Sequence, residues 1–136
     1  MDSTALLREW LGSYLPQVQV VTQVPVSWTG KLVSIERTGG KIDAFSDSPT
    51  FAVQAWAPSK AEAAGLAQQA AAAIDGWPQV APEVADARVE SMYDFADPDS
   101  RSQRFQLTVH AVLFNTAQPT AAPPPPPPPP MDWDHL

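Results

Sequence analysis

Thr50-Phe51-Ala52-Val53-Gln54-Ala55-Trp56-Ala57-Pro58-Ser59-Lys60-Ala61-Glu62 is the stretch whose reading decides the fold. Phe51, Val53, Ala55 and Ala57 alternate with Thr50, Ala52, Gln54 and Trp56, the two-residue period of a half-buried strand. Pro58 has no amide to donate to a ladder, so the strand stops there. Ser59 and Glu62 then make a capping box, in which each side chain satisfies an orphan amide at a helix start. The helix runs on through Ile74, with Ala63, Leu66, Ala67, Ala70, Ile74 and Trp77 on one face. Asp75-Gly76-Trp77-Pro78 is expected to end it, Gly76 taking a left-handed cap and Pro78 blocking continuation. A strand feeding an amphipathic helix has one way to hide both apolar faces: the helix lies back on a sheet.

Upstream, Asp2 or Ser3 caps a short helix whose Leu6, Leu7, Trp10, Leu11 and Tyr14 share one sector, ending near Leu15-Pro16. Gln17 to Val24 alternates as an edge strand and Pro25 closes it. Lys31 to Thr38 reads as a strand with Val33 and Ile35 inward. Thr38-Gly39-Gly40-Lys41 is expected to be a hairpin turn, Ile42 to Phe45 a short strand or arm, and Ser46 to Pro49 a loop.

Downstream, Ala85, Ala87, Val89, Ser91 and Tyr93 alternate with Asp86, Arg88, Glu90 and Met92, giving one dry and one wet face. Ala96-Asp97-Pro98-Asp99-Ser100 carries turn chemistry. Arg104 to Phe114 is the last strand, with Phe105, Leu107, Val109, Ala111 and Leu113 inward. The fold expected is α+β, a mostly antiparallel sheet with two helices packed on one face. Residues 1–115 form that domain and 116–136 a proline-rich extension. There Pro123 to Pro130 is unbroken proline, which adopts polyproline II and makes a rod of roughly 25 Å. Met131, Trp133 and Leu136 follow it among Asp132, Asp134 and His135.

Bulk properties narrow the function. The chain has 136 residues, enough for one domain that folds without staples, and it has no cysteine, so disulfides and thiolate chemistry are excluded. Its formal net charge of -7 argues against nucleic-acid binding, which needs clustered Lys and Arg. No apolar run is long enough for a membrane span, and Met1-Asp2-Ser3 lacks a signal-peptide pattern, so synthesis in the cytoplasm and no membrane partner are expected. His110 lies on the polar phase of its strand and reads as a surface histidine; His135 stands alone in the tail. Asp94, Asp97 and Asp99 hint at a calcium loop, but Pro98 and the missing downstream Glu argue against it. The sequence therefore points to no catalytic residue, no metal and no cofactor.

Three features call for partners. Trp56 points away from Phe51 and Val53, so it packs under a loop or marks a contact surface. The outer faces of the second helix carry Ala64, Ala71 and Ala72, which suit helix formation and also permit close approach. The octaproline ends in apolar anchors.

Ile35-Glu36-Arg37-Thr38-Gly39-Gly40, Pro49 to Ala57, Lys60 to Ala67 and Arg104 to Val109, in that order, resemble the tail terminator proteins of long noncontractile-tailed phages, especially those of actinobacterial hosts. The likeness spans roughly residues 3–114 and leaves out the proline tail. The resemblance implies a virion protein of the tail or neck, made in the host cytoplasm. Such a protein forms a six-membered ring on the last ring of the tail tube, stops tube growth and meets the head-completion (connector) proteins. DNA passes through such a lumen without specific binding, and carboxylates lining it would repel the genome rather than trap it. The interface residues expected are Arg37, Lys41, Phe45 and Trp56 in the body and Met131, Trp133 and Leu136 in the tail. The rival reading is a soluble adaptor that presents its octaproline to an SH3- or WW-like groove.

Overall fold

A computed structural model describes residues 2–95 and 103–114. The elements are α1 (Ser3–Tyr14), β1 (Gln19–Val21), β2 (Leu32–Ile42), β3 (Ser46–Ala57), α2 (Lys60–Val80), β4 (Val84–Asp94) and β5 (Gln103–Phe114). The fold is α+β: a five-stranded sheet in the order β1-β2-β3-β5-β4, antiparallel except for the short parallel pair β1–β2. The strand quoted first is its centre, since β3 pairs along nearly its whole length with both β2 and β5.

Both helices lie on one face. There Val33 and Ile35, Phe51, Val53 and Ala55, and Leu107, Val109, Ala111 and Leu113 meet Leu7 and Leu11 of α1 and Leu66, Ala70, Ile74 and Trp77 of α2. Small residues along α2 (Ala63, Ala67, Ala70, Ala73) are all buried and bring its axis close to the sheet. Ser59 caps α2 by accepting from the Glu62 amide, but the Glu62 carboxylate takes the Ser59 hydroxyl rather than the Ser59 amide, so only half of the expected capping box forms. Asp2 caps α1 by accepting from the Ala5 amide.

Several sequence expectations shift. Gly76 and Pro78 do not end α2, which runs on to Val80 and closes with the Ala81 amide on the Trp77 carbonyl. Trp77 is buried beneath it, and that burial outweighs the amide lost at Pro78. The first strand is only Gln19–Val21. Ala85 is exposed and Val84 buried, because register shifts beside Ala85 and Glu90 break the simple alternation of β4.

The largest change is at Gly39-Gly40. These residues lie inside β2, paired with Thr50 and Pro49, and the register slips between Arg37 and Gly39. The chain turns instead at residues 43–45, so Ser46 to Pro49 is strand rather than loop. Asp43 causes this: its carboxylate accepts from the amides of Phe45 and Ser46, and its own amide donates to the Ser46 carbonyl.

Candidate functional site: an exposed hairpin tip and the sheet face opposite the helices

The β2–β3 hairpin is the most prominent surface of the described residues. Its base is pinned. Arg37 and Asp47 form a two-pronged ion pair, 2.8 Å at each nitrogen, and the Ser3 hydroxyl donates to the same Asp47 carboxylate. Arg37 also donates from Nε to the Gly39 carbonyl across the register slip. Burial pushes the Asp47 carboxyl up, but the hydrogen bonds from Arg37 and Ser3 and the Arg37 charge outweigh it and hold it below the usual carboxylate range. Arg37 is correspondingly held charged, chiefly by its hydrogen bond to Asp47. Above the pin, Gly40 has φ +109°, and a Cβ there would stand 2.2 Å from the Ser48 carbonyl oxygen. Only glycine lets the two strands approach so closely.

Beyond Gly40, β5 still runs beside β3 as far as Ser46, in register with Phe114, so one side of the hairpin is flanked to its tip. Ile42 is 72% exposed and Phe45 77%, with Lys41 exposed beside them. In the turn, the amides of Phe45 and Ser46 donate to Asp43 and hold its carboxyl below its ordinary value. Two large exposed apolar side chains at one hairpin tip mark a candidate contact surface.

On the sheet face opposite the helices, the connection 22–31 brings Trp28 against Trp56. Trp56 lies here, only 7% exposed, with Trp28 edge-on at 5.8 Å and the Arg104 guanidinium 4.7 Å over its ring. Of the two readings open for Trp56, the structure gives the loop-covered one. Beside it runs a straight polar row across four strands. Trp56 Nε1 donates to Ser34, Ser34 to Gln54, Gln54 to Gln106 and Gln106 to the Tyr93 hydroxyl. Ser34, Gln54, Gln106 and Tyr93 are successive register partners, which is why the chain of bonds closes. The polar phase of Ser34, Gln54 and Gln106 was visible in the alternation of their strands; Tyr93 was expected on the dry face, and the register shift between Val89 and Ser91 moves it to the outer one.

Of the expected site residues, Lys41 and Phe45 stand together on the hairpin, Arg37 lies in its base and Trp56 lies under the connection 22–31; Met131, Trp133 and Leu136 lie outside the described residues. So do Asp97, Asp99 and His135. His110 is half-buried on the outer face, in register with Thr50 and Arg88. Among the described residues no cluster of His, Asp or Glu is placed to hold a metal ion, and no helix is long and apolar enough to cross a membrane. An open groove of about 560 Å³ is lined by Tyr14, Pro16, Val18, Lys31, Gln69 and Ala72.

No protein-family model matches the chain, and no curated protein matches it. Among solved structures it is similar to a chain of the virion of a native gene transfer agent (GTA) particle. The TM-score is 0.52 and the sequence identity 15%, covering 81% of this chain and 85% of that one. At that identity the likeness is one of fold, and it takes in most of the body described above.

Proposed function

We propose that this chain is a structural protein of a virion, a tail terminator that closes into a six-membered ring on the end of the tail tube. The ring ends tube growth and presents its other side to the head-completion proteins, while the genome passes through the lumen. The observation that carries the reading is the fold likeness to a chain of a gene transfer agent virion over most of both chains. It agrees in kind with the sequence resemblance to tail terminators. The exposed hairpin fits as well. A closed ring needs a heterologous contact, one patch of each subunit against a different patch of the next. Ile42 and Phe45 supply an apolar tip that is exposed among the described residues.

In this reading Lys41 and Phe45 contact a neighbour directly. Arg37 acts from below, holding the hairpin to α1, and Trp56 fixes the loop that carries Trp28. Met131, Trp133 and Leu136 are further contacts, carried on the proline-rich extension toward a subunit or tail protein beside it. The protein performs no reaction; its surfaces are its function.

The test is imaging of the purified chain alone and mixed with tail tubes, with an antibody to the chain used to label purified particles. The expected result is a monomer in isolation, a ring capping one end of each tube, and label at the neck. A different polypeptide at the tube end, with this chain elsewhere or absent, overturns the proposal.

A further inference from the structure

We infer that the groove at the C-terminal end of α1 is a polyproline site and that its occupant is the octaproline of the same chain, Pro123 to Pro130. The inference does not depend on the ring, because it concerns the free subunit.

A polyproline II rod makes no internal hydrogen bonds and has no amide to donate. It therefore needs a flat apolar wall for its rings and donors for its bare carbonyls. The groove offers both. Tyr14 is 52% exposed although it belongs to the apolar sector of α1, and its ring lies 6.0 Å from Trp10, tilted by 40°. Trp10 is itself fixed, since its Nε1 donates to the Ala73 carbonyl at 2.7 Å. The tyrosine thus rests on an anchored support and is held in place before any ligand arrives. Pro16 and Val18 continue the wall, and the short side chain of Ala72 leaves the floor open. Lys31 and Gln69 flank it with amino and amide donors, and neither is engaged in a hydrogen bond or ion pair within the described residues. Lys31 also suits the charge that follows the prolines, Asp132 and Asp134.

The chain length selects the segment. β5 ends at Phe114, opposite Ser46, at the hairpin end of the sheet. The groove lies by Lys31 at the other end, an eleven-residue strand away, roughly 35 Å. Residues 115–122 reach at most about 28 Å when extended, and the octaproline adds about 25 Å. The groove therefore falls within the span of the octaproline. Covalent attachment makes even weak docking effective by raising local concentration. Docked this way, the rod carries Met131, Trp133 and Leu136 past the α1 end of the subunit.

The chain has no cysteine, so Met131→Cys in the full chain takes a single nitroxide label. The expected result is strong loss of amide signal at Val18, Lys31 and Gln69, unchanged on dilution. It should be abolished by Tyr14→Ala and by replacing the octaproline with a Gly-Ser stretch of equal length. Unchanged amide shifts at Phe51 and Val53 confirm that both variants are folded. Loss spread evenly over the surface, centred on the outer sheet face, removed by dilution, or persisting in either variant overturns the inference.

Discussion

Asp47 is where three elements meet: α1 reaches it through Ser3, β2 through Arg37, and β3 supplies its backbone. A carboxylate only 6% exposed is costly unless paired, and removing one partner strands the other. Asp47→Asn at neutral pH is expected to cost about 3 kcal/mol, the low end for a broken buried pair, because the Arg37 side chain keeps 25% of its surface in water. The pH dependence has a definite sign. The folded carboxyl titrates below its unfolded value, so its contribution is complete above the ordinary carboxylate range and fades as pH falls through the folded value. Urea midpoints measured between about pH 5 and pH 1 should fall more steeply for the native chain than for Asp47→Asn. Equal slopes would remove Asp47 as the titrating group. The sequence put Val33 and Ile35 inward but Arg37, on the same phase, was expected at an interface, whereas it pairs with Asp47 inside the subunit. That pairing depends on the register of β2 against β3, and pairing register is not written in either strand alone.

The hairpin shows how an element can be read correctly in kind and misplaced in detail. Gly-Gly beside alternating apolar residues is good turn chemistry, yet here it serves a crossing of backbones inside a strand, and Asp43 makes the turn. The two glycines are therefore unequal. Gly40→Ala forces a Cβ into the Ser48 carbonyl at an unfavourable φ and should cost roughly 1–3 kcal/mol. Gly39→Ala has open space and ordinary φ, and should be close to neutral. Chemical denaturation of the two variants side by side decides it, and equal costs would mean that the close approach at Gly40 is relieved at no expense. In α2 the start was plain in the sequence and the end was not. Ser59→Ala should cost about 1 kcal/mol by the same measurement, since its hydroxyl accepts from the Glu62 amide. The extra turn past Pro78 is held by the contact of Trp77 with the sheet, which no local signal encodes.

At the scale of the whole subunit, alternation along the strands and the single apolar stripe of each helix were enough to give an α+β body with both helices on one face. The strand order, the parallel β1–β2 pair and the polar row over four strands came only with the structure, because each joins residues far apart in the chain. The same division holds for the candidate site. Lys41 and Phe45 were singled out from sequence, while Ile42, equally bare, was hidden among alternating residues whose phase changes at the register slip. If the hairpin tip is an assembly contact, its apolar side chains add nothing to the fold and much to the ring. Ile42→Ser combined with Phe45→Ser should leave the free subunit within about 0.5 kcal/mol of its original stability, as surface substitutions do. The same variant should fail to form rings on tail tubes, because an apolar anchor at the centre of an interface carries a large share of its energy. Thermal unfolding reads the first effect and electron microscopy of tube ends the second. Rings that form normally would place the contact elsewhere on the subunit, whereas loss of folding would show that the tip is part of the core after all.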